Sequence, residues 1–307
     1  MKRFLAVVLA VMMLSTLVVF VNAERDYEVV ELLQFTTAPK IDGVITEAEW
    51  GKPTVRVQPD QKTTDYVDQD GVEEAEENIW FDLWLRWDAN YYYIGMYLPD
   101  TTHYLPASET NLWNGDVVQM GFDPEGPFAN EDVMEPWSDN YTNMAFGLVS
   151  GEGNTLSSWA WYGPSAGGQV EGAKYNIKRN GIYTTYELAI PWTAIGVENG
   201  VKVGDVYGAT IARVMSDGDE DDPCNGWITW GTGILGKNIV DEEIASGSNG
   251  LLLSATPAVG ATAPATSTTT APAGTASAPQ TADAGIIGII ATMAASAGAV
   301  LTFKKRK

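Results

Sequence analysis

The chain has 307 residues, 45% of them hydrophobic and 19% charged, with a net charge of −22. That is globular composition, long enough for one or two domains. Residues 24–254 carry 12 Lys and Arg against 39 Asp and Glu, a net −27, and such a field repels nucleic-acid phosphates and anionic lipid headgroups. Nucleic acid is therefore excluded as a partner, whereas cations are attracted.

The N-terminus reads as an export signal. Lys2-Arg3 is a short basic region, Phe4 to Val21 is apolar, and Val21-Asn22-Ala23 is a small-residue cleavage site. A secretory signal peptide over 1–23 is expected, cut after Ala23, in preference to a retained anchor. Cys224 is the only cysteine, so no intramolecular disulfide can form. The only histidine is His103, and a lone Cys with a lone His is a poor basis for nucleophilic catalysis.

The globular part is expected over 24–254. Residues 24–36 suggest an edge strand. Asp42-Gly43 signals a turn, and Thr46 with Glu49 has the form of a capping box before Trp50, which is read as a core residue. Residues 60–78 read as an acidic loop. Part of it imitates a calcium loop, but Tyr66 stands where the first carboxylate belongs and no amphipathic helix flanks it.

Ile79–Trp87 and Tyr91–Leu98 are aromatic, alternating strands joined at Asp88-Ala89-Asn90, a hairpin. Asn111–Asp116 has turn chemistry and carries Trp113. The strand that follows, to Asp123, places Val118, Met120 and Phe122 on an apolar face and Val117, Gln119, Gly121 and Asp123 on the other. Further strands are expected near 142–149, 157–161, 173–179, 183–189, 206–214, 226–231 and 251–253. Many short strands with frequent turn signals indicate an all-β, antiparallel β-sandwich of jelly-roll kind, in a single domain.

Residues 255–280 are Ala, Thr, Pro, Ser and Gly, the composition of a linker. An apolar run from Ala284 to Phe303 and the basic Lys304-Lys305-Arg306-Lys307 follow. Twenty residues at 1.5 Å each span about one hydrocarbon thickness. Over 281–307 this end resembles the cell-wall sorting signals of Gram-positive surface proteins. Pro279, Gln280 and Thr281 match their motif, with Ala278 in place of Leu and Ala282 in place of Gly. The resemblance implies anchoring to the cell wall, and the alternative is a plain membrane anchor. Either one displays the domain outside the cell.

Eleven tryptophans are many for this length. Strand tryptophans mostly pack. Those in turns and loops, among them Trp113, Trp137 and Trp161, are candidates to stack on the apolar face of a sugar, with Asn111, Asn114 and Gln119 supplying polar contacts.

Several ordered segments resemble the family 9 carbohydrate-binding modules. They are Pro39-Lys40-Ile41-Asp42-Gly43 running to Trp50, Trp87-Asp88, Tyr91-Tyr92-Tyr93, Asp100, Trp113 with Asp116 and Gln119, Tyr186 to Trp192, and Ile228-Thr229-Trp230-Gly231. The resemblance implies a jelly-roll sandwich with structural calcium and a sugar held between two tryptophans. Trp113 falls on the first of these positions. The loop after Trp230 has no tryptophan for the second, which leaves Trp137 or Trp161 to supply the partner ring. Asp42, Glu47, Asp100 and Asp116 are turn carboxylates of the kind calcium takes, since Ca²⁺ needs six to eight oxygen ligands.

Two functions follow from this reading. One is a surface-displayed, non-catalytic module that binds a polysaccharide or glycan. The other is a calcium-stabilised structural or adhesion domain with a protein partner. No Gly-x-Ser-x-Gly, phosphate-binding loop or His-Glu-x-x-His motif points to catalysis.

Overall fold

The computed structural model describes residues 28–259 except 60, 62–63, 69–74, 127–128, 131–139, 152, 217, 219–223 and 232–245. The expected signal peptide, linker and C-terminal anchor, and Trp137, therefore lie outside the described residues. No helix among the described residues is long and apolar enough to cross a membrane.

The strands, in chain order, are β1 (Val29–Gln34), β2 (Val55–Val57), β3 (Thr64–Asp68), β4 (Phe81–Trp87), β5 (Tyr91–Pro99), β6 (Val117–Asp123), β7 (Ala129–Asn130) and β8 (Thr142–Val149). They continue with β9 (Thr155–Tyr162), β10 (Lys174–Asn180), β11 (Tyr183–Pro191), β12 (Val206–Met215), β13 (Gly226–Trp230), β14 (Ser246–Gly247) and β15 (Asn249–Pro257). The α-helix among the described residues is one turn long, α1 (Glu47–Trp50).

Neighbouring strands run in the order β10-β11-β5-β4-β1-β15-β12-β6-β8-β9, with β13 and then β3 branching from β12 and β2 from β4. The ladder folds on itself, so that Leu85, Ile94 and Leu188 of one half share a core with Val118, Met120, Phe122 and Ile211 of the other. The chain is thus an all-β sandwich, as the alternation of its strands indicates.

Three local expectations are corrected. β1 is no edge strand, because it pairs in parallel with both β15 and β4 and joins the two halves. Residues 64–68, expected in a loop, form β3 against β13. Thr46 makes no side-chain cap, and Glu49 instead accepts the Lys40 backbone N–H at 2.6 Å.

Trp50 is fully buried, as expected, but not between the sheets. It packs on the outer face of the first half with Phe35, Trp84 and Tyr93. Its ring meets Phe35 edge-on at 5.4 Å, a geometry favoured by the ring quadrupoles. The outer face of the second half carries its own apolar cluster, and the candidate site lies there.

Candidate functional site

β6 alternates as its residues dictate. Val118, Met120 and Phe122 enter the central core, which turns Val117 and Gln119 to the outer face. Val117 joins Leu105, Leu112, Ala145, Val214, Cys224 and Trp227 in the second cluster, with Trp159 and Trp161 packed against it. Cys224 is a small buried hydrophobe there, and His103 is occupied elsewhere. The segment 104–116 crosses this face because β8 has a glycine beneath it, and a Cβ on Gly147 would lie 2.4 Å from Leu105 Cδ2.

Asp116 clasps the two ends of that segment. Its Oδ2 accepts the Tyr104 N–H at 2.7 Å, and its own N–H donates to Tyr104 O at 2.8 Å. Its Oδ1 accepts the Ser216 N–H at 3.0 Å. The clasp holds a 3-10 turn, Glu109–Asn111, which Trp161 pins by donating Nε1–H to Thr110 O at 3.0 Å. Glu109 has φ 57°, a left-handed conformation costly for a residue with a Cβ. Beyond the turn Trp113 is 42% exposed, and among the described residues no ring stacks on it.

The other predicted contacts are distributed as follows. Asn111 is exposed and Asn114 half-buried, both beside Trp113 in the chain. Trp161 is half-buried and supports the turn from below. Gln119 is not a rim residue. It is 5% exposed and donates Nε2–H to Asn143 Oδ1 at 3.0 Å. Its Oε1 is buried without a hydrogen-bond partner. Its neighbours across the ladder are Ala145 and Ala212, which are small and leave the amide uncovered by any long side chain from those two positions.

The expected calcium ligands do not form one group. Asp42 and Glu47 are exposed on the segment over the first half. Asp100 and Asp116 do come together, and with His103 their donor atoms lie within 4.8 Å of one another. Asp100 is 2% exposed. Its Oδ2 accepts Thr184 Oγ1–H at 2.7 Å and lies 2.6 Å from Arg179 Nη1 and 2.9 Å from His103 Nδ1. His103 Nε2 lies 2.6 Å from Leu148 O. Both imidazole nitrogens therefore face acceptors, an arrangement that favours the doubly protonated ring.

Burial by itself raises Asp100, but His103, Thr184 and Arg179 outweigh it and hold the carboxyl down at about 2. Burial lowers His103, and Asp100 more than restores it, for a net rise. Asp116 is pushed up to about 8 by burial first and by the Asp100 charge second.

Among the described residues, Asp100, His103 and Asp116 do not by themselves make up a calcium site. One buried oxygen, Asp100 Oδ1, lacks a partner, whereas Ca²⁺ needs six or more oxygens, and the cations of Arg179 and His103 stand beside it. The two carboxylates are already answered by protein cations and backbone N–H groups. Melts in excess calcium and in excess EGTA test whether the chain holds calcium elsewhere: a higher Tm in calcium supports such a site, and matching values remove it.

No family model matches the chain, and no curated protein sequence matches it either. Among solved structures, it is similar to a carbohydrate binding module family 9 domain from Caldicellulosiruptor kristjanssonii in complex with cellotriose, at 14% identity and TM-score 0.44, over 73% of this chain and 93% of that one. The same organism's module in complex with glucose matches at 14% identity and TM-score 0.42, over 73% and 95%. With so few residues shared, function has to be argued from this chain's own side chains.

Proposed function

We propose that residues 28–259 form a non-catalytic carbohydrate-binding module, displayed outside the cell by the C-terminal anchor, that holds a glycan on the outer face of its second half. The observation that carries this is Trp113. It is a large aromatic on a turn that is clasped by Asp116, pinned by Trp161 and paid for with a left-handed Glu109, and it is nevertheless left open to solvent.

The exposed part of this indole, 42% of the residue, is apolar surface that a ligand can cover. A sugar suits it, because its C–H face covers the ring and its hydroxyls need polar partners. Asn111 and Asn114 flank the ring in the chain, and Gln119 Oε1 is a buried acceptor still lacking a donor on the same sheet face. An exposed tryptophan can also anchor a protein partner; the two asparagines beside the ring favour a sugar.

The test is a glycan array, including β-1,4-glucan and xylan oligosaccharides, probed with the wild type and with Trp113→Ala. Binding to at least one glycan is expected, weakened about tenfold or more by the substitution, since a sugar-stacking ring contributes on the order of 1–3 kcal/mol. Binding that survives Trp113→Ala, or no binding at all, removes the proposal. Because the ring is exposed, the variant is expected to keep the wild-type Tm.

A further inference from the structure

The outer face of the first half carries a second cleft, remote in the fold from Trp113, and we infer that it is a binding site for a saccharide bearing a carboxylate.

The cleft exists because the segment 39–51 covers only part of that face. Glu187 anchors the segment by accepting the backbone N–H groups of Asp42 and Val44 at 2.8 and 3.2 Å. The cover stops at Gly43–Ile45, which form one wall of a cleft of about 570 Å³. That volume falls in the range of small-molecule sites and accommodates one or two sugar rings.

Tyr97 of β5 and Tyr183 of β11 line it beside Trp84. The two tyrosine rings stack, with centroids 5.0 Å apart and planes at 16°, and both are half-buried. Trp84 is fixed at the back by its Nε1–H, which donates to Gly51 O at 2.9 Å. Such rings offer an apolar surface to the C–H face of a sugar.

Charge sets the class of sugar. In a domain with three acids for each base, the residues lining this cleft include Lys178 and Arg179 and no carboxylate. The acids around it are committed: Glu187 to the amides of the 39–51 segment, Asp100 to Arg179, and Asp82, across the ladder from Tyr97, to Arg56 through two hydrogen bonds of 2.7 Å.

Arg179 is spent on Asp100, at 2.6 Å. Lys178 is exposed and makes no ion pair among the described residues. Its stem lies along Gly43, where a Cβ would come within 2.7 Å of Lys178 Cδ. Gly43, at φ 83°, thus serves both its turn and the passage of the lysine to the cleft mouth. One uncommitted cation matches one negative charge, a carboxylate, and Asn180 and Thr185 offer partners for hydroxyls. A surrounding field of the opposite sign leaves the cleft as a local exception that an acidic sugar can use.

This site does not depend on the Trp113 reading. The test is a calorimetric titration of the 24–259 domain with trigalacturonate and with its methyl ester, in EDTA so that calcium cannot bridge chain and sugar. The acid is expected to bind at least about tenfold more tightly than the ester, with an affinity that falls as salt rises. Lys178→Ala is expected to weaken the acid about tenfold and leave the ester unchanged, Lys178→Arg to restore most of the difference, and Tyr183→Ala to weaken both. Trp113→Ala is expected to change neither. Equal binding of acid and ester, no binding, or indifference to Lys178→Ala overturns the inference. Loss of trigalacturonate binding in Trp113→Ala overturns it too, by moving the ligand to the other face.

Discussion

Asp100→Ala is expected to lower the unfolding free energy by about 3–5 kcal/mol, the cost of leaving buried charge without its partner. Asp100 is the point where four elements meet. Its carboxylate receives Thr184 of β11 and faces Arg179 of β10 and His103 of the loop after β5. Its carbonyl accepts Arg179 Nη2–H at 2.9 Å, and its N–H donates to Ile182 O at 2.6 Å. Removing the carboxylate leaves the buried His103 ring without its acceptor and Arg179 without its ion partner.

The same group makes the wild type lose stability in acid. Its folded pKa is depressed to about 2 from 3.8. The stability it contributes is therefore fully present above about pH 4 and is lost as the pH falls toward 2. Urea unfolding of wild type and Asp100→Ala is expected to show a gap that narrows over that interval. A gap below about 1 kcal/mol at pH 6, or one that widens in acid, contradicts the assignment.

Glu187→Ala is the second large effect, expected to cost at least about 3 kcal/mol. Glu187 is fully buried in the middle of β11. Besides the Asp42 and Val44 amides it accepts the N–H of Gly43, at 2.5 Å, and the indole Nε1–H of Trp50, at 2.8 Å. Burial raises its pKa and these donors pull it back. The carboxylate is thus the acceptor on which the whole 39–51 segment folds. Its loss leaves buried N–H groups unserved and frees Trp50 from one of its anchors. Hydrogen exchange separates this from Asp100→Ala: the amides of Asp42, Gly43 and Val44 are expected to exchange much faster in Glu187→Ala and little faster in Asp100→Ala. Protection unchanged in Glu187→Ala contradicts the anchoring role.

What the sequence made legible follows from the range of each interaction. Strand alternation is local, so Val118, Met120 and Phe122 could be assigned to the core and β4 and β5 to a hairpin. The Asp42-Gly43 turn is local as well, but its acceptor lies 144 residues away from Gly43, and nothing near Glu187 marks it as different from any strand acid. β1 looked like an edge because its partners Leu251 to Leu253 come more than 200 residues later.

His103 and Arg179 were not read as partners of Asp100 for the same reason, although Asp100-x-x-His103 was visible. Carboxylates at strand ends such as Asp100 and Asp116 show in the sequence their own charge and not the cations that the fold brings to one of them. Gln119 was assigned to the polar side of β6 correctly. Alternation alone could not show that Leu105, Leu112 and Trp227 pack on that side around Val117 or that Gln119 is buried there.

The central claim is that the open face of Trp113 is a sugar platform. The most direct measurement is a titration of the domain with the array-selected oligosaccharide, following the eleven indole N–H resonances and the side-chain amides of Gln119 and Asn143 by NMR. Saturable shifts of Trp113 and of Gln119 that share one Kd, with the buried Trp50 and Trp192 unmoved, are the expected result. A Trp113 resonance that stays in place while the sugar binds would contradict it.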